Sequence, residues 1–181
     1  MSKIIEIMSN ESVLETKWFV IDYCTEGQKI EVKIKEDTVK KEFSEIRAIF
    51  EADLQASDEE RSFRIVAGKY GNAISSLKRS IMRELVIVVT GLFLHYFEID
   101  STYATAKEII RALFGLSVKR EVILSSFSTE GRSANRKSRW FSLEREEKQL
   151  LFYSFNHVMV ADRLYESIKT RLDVLVSATR R

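Results

Sequence analysis

Three observations predict a mainly α protein. Proline, the strongest helix breaker, is absent from all 181 residues. From Asp37 onward apolar residues recur at spacings of three and four. Serine, threonine and aspartate stand where caps would open the helices. With 45% hydrophobic residues the chain can bury one good core, or two small ones that share an interface. No repeat, low-complexity stretch or flexible linker interrupts it. The expected organisation is two packed helical subdomains, 1–99 with an acidic start and 100–181 with a basic loop at 129–139.

Residues 12–35 admit two readings. Ser12 and Glu15 form a capping box that would open a helix through Cys24, with Leu14, Trp18 and Ile21 on one side. Alternatively, Thr25–Gln28 is the turn of a small hairpin within residues 18–35. Phe19 then faces Ile34, Ile21 faces Val32 and Tyr23 faces Ile30, while Asp22, Glu31, Lys33 and Lys35 collect on the polar side. Strict alternation from Gln28 to Lys35 favours the hairpin there and decides less about its partner.

Val39, Phe43, Ile46, Phe50 and Leu54 then mark an amphipathic helix. Ser57 to Glu60 is a second capping box. The helix behind it carries Phe63, Val66, Tyr70, Ile74, Leu77, Ile81, Leu85, Val88 and Leu92, with a kink or break expected at Gly68 and Gly71. Beyond Leu85 apolar residues cover every side, which puts that segment at the centre of the fold. Its apolar run to Phe97 is shorter than the ~20 residues a helix needs to cross a bilayer. Asp100, Ser101 and Thr102 cap a helix with Tyr103, Ala106, Ile110 and Leu113 that stops at Gly115. A short helix is expected within Ser117–Phe127 and a loop over Ser125–Ser138. One last long helix follows, with Leu143, Leu150, His157, Ala161, Leu164, Ile168, Leu172 and Leu175 on its face.

Composition narrows function. A single cysteine, Cys24, and two histidines cannot build a Cys/His zinc site or a disulfide within one chain. No cofactor is expected, and a reducing, cytoplasmic setting fits. The N-terminal MSKIIEIMSNES has acids at Glu6 and Glu11 and no continuous apolar core, so it is not expected to be a secretory signal.

The charge is split. Residues 1–60 hold 8 Lys+Arg against 15 Asp+Glu, and residues 61–181 hold 21 against 12, so the net +2 divides into −7 and +9. A basic half favours a polyanionic partner, because each cation set against a phosphate releases condensed counterions. The stretch GRSANRKSRW supplies the first candidates, Arg132, Arg136, Lys137 and Arg139, with no acid among them. Lys119 and Arg120 form a second group. Lys78, Arg79 and Arg83, which share one side of a helix, form a third. Each group also reads as a plain solvated face. Trp140 and Phe141 could stack on a base or on a duplex end; the competing reading anchors Trp140 in the core. No motif for reading base edges is present, so binding would follow backbone and shape.

Catalytic patterns are sparse. In the hairpin reading Asp22 lies opposite Glu31 with Lys33 two residues on, a spacing similar to the metal-dependent PD-(D/E)xK nucleases and also to the polar face of any hairpin. His95 and His157 sit among apolar residues and are expected in the core. Neither is preceded by arginine at the spacing of helical HEPN nucleases.

The length, the helical make-up, the late basic loop and above all LVIVVTGLFLHYFEID, Leu85 to Asp100, resemble the closterovirus RNA-silencing suppressors of the beet yellows virus type. The resemblance implies an all-helical, two-domain protomer assembled into a ring whose basic inner surface binds RNA, small duplex RNA above all, without sequence preference. A hairpin departs from that all-helical pattern. The rival expectations are a helical protein-interaction scaffold and, after it, a nuclease.

Overall fold

The computed structural model describes residues 13–24, 29–56, 60–127 and 139–179. They form a mainly α protein with one small antiparallel sheet. Strands β1 (Val13–Glu15), β2 (Phe19–Cys24) and β3 (Lys29–Ile34) lie in the order β1-β2-β3. Seven helices follow among the described residues: α1 (Glu36–Gln55), α2 (Glu60–Tyr96), α3 (Tyr103–Phe114), α4 (Arg120–Ser126), α5 (Arg139–Ser142), α6 (Arg145–Met159) and α7 (Ala161–Ala178).

The hairpin reading holds. Phe19 pairs with Ile34, Ile21 with Val32, Asp22 with Glu31 and Tyr23 with Ile30, so Phe19, Ile21, Ile30 and Val32 turn together into the core. Leu14 of β1 joins them opposite Ile21, in a third strand where the competing reading placed a helix. Residues 57–59 of the second capping box lie outside the described residues, and Glu60 opens α2.

Two carboxylates fasten the sheet to the helices. Glu84 on α2 accepts the Trp18 backbone N–H and the Thr16 hydroxyl, both at 3.2 Å, and Glu42 on α1 accepts the Trp18 indole N–H at 3.0 Å. Burial holds the Glu84 carboxyl above its ordinary value against these lowering contacts. At the first residue of α1, the guanidinium of Arg171 on α7 grips Glu36 as a two-pronged fork, its Nη2 at 2.8 Å, and holds that carboxyl below its ordinary value.

Helix α2 is the axis of the fold. It runs unbroken for 37 residues through Gly68 and Gly71, where a kink or break was expected. Leu85–Leu94 is buried on every side, as the all-round apolar pattern requires. Against it pack α1, α3 and α7, while α6 covers β3. Phe93 is the hub of an aromatic cluster, with ring centres of Phe97, Phe155 and Phe152 at 4.8, 4.9 and 5.3 Å and Trp140 at 6.0 Å. α2 ends in a Schellman turn: the Ile99 N–H bonds the Leu94 carbonyl at 2.8 Å with Glu98 at φ 51°. The third cap is Thr102, whose side chain accepts the Thr105 N–H at 3.2 Å, and Gly115 at φ 65° stops α3.

The expected last long helix is two. Val160 adopts φ 52°, a left-handed conformation unusual for a β-branched residue, and separates α6 from α7. The break changes the phase of the helical face. On α7 the expected Ala161, Ile168, Leu172 and Leu175 are buried, whereas on α6 the buried residues are Phe155 and Met159. Leu150 is 66% exposed and His157 is also on the outside, contrary to its expected place in the core; His95 is half-buried. No helix among the described residues is long and apolar enough to cross a membrane.

Trp140 is fully buried and donates its indole N–H to Glu108 at 2.7 Å. Trp140→Ala should lower unfolding stability by about 3–5 kcal/mol, and Trp140→Phe, which keeps a ring and loses the donor, by about 1–2 kcal/mol; urea denaturation of the three proteins measures both. For Glu84 the proton is held more tightly in the folded chain. Its contribution is therefore fully present below the ordinary carboxylate value and is lost as pH rises through the raised folded one. Stability curves of wild type and Glu84→Gln against pH should diverge in that window, with wild type losing ground as pH rises.

Candidate functional site

Two of the three basic groups picked out in the sequence meet. Lys78, Arg79 and Arg83 on α2 and Lys119, just before α4, line one cleft of about 490 Å³ together with Lys169 of α7. The local reasons are plain. On α2, Ile74, Ile81, Leu85 and Val88 turn inward, and the neighbouring stripe, one helical step around, carries Ser75, Lys78, Arg79, Met82, Arg83 and Val86. Gly115 ends α3 in the left-handed conformation that a side chain resists, and the non-helical Leu116–Lys119 then lines the cleft beside that stripe. The third wall is Tyr165, Lys169 and Leu172, three successive turns of α7.

The cleft is amphipathic. Met82, Val86, Leu116, Val118, Val122 and Leu172 supply an apolar lining, and Ser75 and Ser117 add hydroxyls. No carboxylate lines it among the described residues. Lys78 stands at the edge, shared with a neighbouring depression, and is the one lining cation with an ion-pair partner among the described residues, Asp173. Arg79, Arg83, Lys119 and Lys169 have no carboxylate within 4 Å among those residues. Four cations with no carboxylate that close among the described residues, set around one concavity, favour a positive potential there, because its low-dielectric walls focus the field.

Other candidates are placed elsewhere. Arg120 is exposed, with its guanidinium 5.1 Å from the centre of the Tyr103 ring, and does not line the cleft. Arg132, Arg136 and Lys137 lie outside the described residues; Arg139 is exposed and opens α5. Trp140 cannot stack on a ligand, since the core encloses it; the exposed aromatic is Phe141, with the Lys148 ammonium 5.7 Å from its ring centre. Asp22 and Glu31 do sit opposite each other on the outer face, but Lys33 pairs with Glu31 at 3.6 Å. No group of three or more His, Cys, Asp or Glu able to hold a metal occurs among the described residues.

Lys169 is the site residue that the sequence reading missed. It stands between Ile168 and Thr170, with Arg171 two residues on, and that arginine is committed to Glu36 instead of the cleft. Its helical offset of four from Tyr165 was the only available signal.

Comparison with known proteins finds no match: neither a family model, nor a curated protein, nor a solved structure.

If the cleft cations serve a ligand rather than the fold, removing them should not weaken the protein. Arg79→Gln/Arg83→Gln is expected to leave the thermal midpoint unchanged or slightly higher at low salt, through relief of like-charge repulsion. A drop of several degrees in a calorimetric scan would assign these arginines to stability instead.

Proposed function

We propose that this protein binds RNA, small duplex RNA in the first place, through the cation-lined cleft, holding the phosphate backbone without reading sequence. The observation that carries this reading is convergence. Cations far apart in the chain, at 78–83, 119 and 169, gather on one concavity that no acid lines among the described residues. An unneutralised cluster of this kind is costly in the free protein and is compensated when a polyanion displaces its own counterions. Phosphates match it better than carboxylates do, since guanidinium groups take phosphate oxygens in pairs. The likeness of Leu85–Asp100 to the closterovirus suppressors points the same way. In that setting, sequestering small duplex RNA would suppress RNA silencing, and assembly into a ring would repeat the basic cleft around an inner surface. The basic loop with Arg132, Arg136, Lys137 and Arg139 would add further phosphate contacts.

A protein-interaction scaffold is the second reading, favoured by the pair Leu150 and Tyr153, 66% and 75% exposed on the outer side of α6.

Fluorescence anisotropy of a labelled RNA duplex, titrated in EDTA over a salt series, tests the first reading. Binding should fall steeply with salt, with a slope of log K against log salt of roughly −3 to −5 for four or five neutralised phosphates. Lys169→Gln alone should make the slope shallower by about one. Arg79→Gln/Arg83→Gln/Lys119→Gln/Lys169→Gln should abolish most of the affinity. Unchanged binding by that variant would remove the cleft from the account, and the same assay on loop variants measures what Arg132 to Arg139 contribute.

A further inference from the structure

We propose that the cleft receives the end of a strand: a terminal nucleotide whose phosphomonoester meets the cations and whose base lies on the apolar lining. This rests on the RNA-binding reading and narrows it.

Size is the first argument. About 490 Å³ is the volume of a small-molecule site. An intact duplex, wider than its own grooves, can only lie across the rim of such a space. A single nucleotide can enter.

Charge is the second. A diester inside a strand carries one negative charge, whereas a terminal phosphomonoester carries about −1.5 to −2 at neutral pH and presents three acceptor oxygens. Arg79, Arg83, Lys119 and Lys169, with no acid partner among the described residues, supply more positive charge than one diester can use. A monoester comes closer to balance, and the two guanidinium groups suit its oxygens.

The apolar lining is the third. Backbone contact along a duplex would engage the cations alone and leave the apolar part of the wall, where half-buried Leu116, Val118 and Val122 stand beside the buried Met82 and Val86, facing water. A base has an apolar face to offer them, and Tyr165 stands at the same wall as an aromatic neighbour. Taking a base from inside a duplex costs a few kcal/mol of stacking and pairing. A terminal nucleotide, stacked on one side only, costs least. An acidic amphipathic peptide offers apolar surface too, but its carboxylates carry one charge each and would have to crowd four into the same space.

The test uses one duplex sequence labelled on an internal base, so that both ends stay free, in three forms: 5′-monophosphate, 3′-monophosphate, and hydroxyl at every end. Anisotropy titrations in EDTA should give affinity about tenfold higher for a monophosphate form than for the hydroxyl form. The gain should vanish in Arg83→Gln/Lys119→Gln, and which of the two phosphates confers it states which end enters. Protection supplies a readout that needs no variant: bound protein should slow removal of that phosphate by a phosphatase. Equal affinity for all three forms, with no protection, would overturn the proposal and leave backbone binding intact. No binding by any form would overturn both. Displacement of every form alike by a Glu- and Leu-rich helical peptide, with no phosphate preference, would assign the cleft to a protein segment instead.

Discussion

The fold depends on one constraint: Leu85 to Leu94 of α2 has no side that water can cover. Ten consecutive residues, apolar apart from Thr90 and Gly91, must be enclosed all round, and at roughly 1.5–3 kcal/mol for each large aliphatic or aromatic side chain buried they drive the assembly of everything else. The sheet, α1, α3, α6 and α7 are the enclosure. Phe93 is where that enclosure is tightest, with four aromatic rings around one. Trp140, on a helix of four residues, is drawn in from far along the sequence and secured by the Glu108 carboxylate. The same central helix, one step around its surface, carries the basic stripe of the cleft. Core and candidate site are therefore two adjacent faces of one rigid element, which fixes Lys78, Arg79 and Arg83 in relation to α7 without a flexible loop between them.

Polar groups decide how the enclosure closes. Glu84 and Glu42 tie the entry of the sheet to two helices, and the Arg171–Glu36 fork ties the last helix to the first. The Arg171–Glu36 pair is partly exposed, so it adds register more than stability. Glu84 is the deeper case, since burial raises its carboxyl while two donors hold it in place. The fork sets an acid of the first third of the sequence against a cation of the basic remainder, whereas Glu84 and Glu42 bind uncharged groups of Thr16 and Trp18. That fork spends part of the charge asymmetry within the molecule, and in the cleft Arg79, Arg83, Lys119 and Lys169 keep no carboxylate partner among the described residues.

Much of this was legible in advance, for physical reasons. Period-two alternation set the hairpin register residue by residue, and Thr102 and Gly115 marked the ends of α3 because caps act through local hydrogen bonds and backbone sterics. Other features were set by tertiary packing. Strand β1 is three residues long and exists because Leu14 finds the core. Gly68 and Gly71 weaken their turn by about 1 kcal/mol each, and packing of Tyr70 against Phe50 on α1, stacked at 4.3 Å, carries the helix through. Val160 breaks α6 from α7 in a conformation that no glycine, asparagine or proline announced, and that break sends His157 outward. The site was half legible. Lys78, Arg79, Arg83 and Lys119 stood out as clusters, but that they share a cleft follows from the crossing of α2 and α7, and Lys169 had no cluster to reveal it. Trp140 beside arginines reads equally as a stacking platform or as an anchor; the depth of the core pocket made it an anchor.

Hydrogen exchange with and without a saturating short RNA duplex tests the central claim most directly, because it locates the bound surface without any substitution. The account predicts slowed exchange in the open segment Leu116–Lys119 and the first turn of α4, with β1 to β3 unchanged. RNA binding that leaves 116–122 unprotected would contradict it and place the nucleic acid elsewhere on the protein.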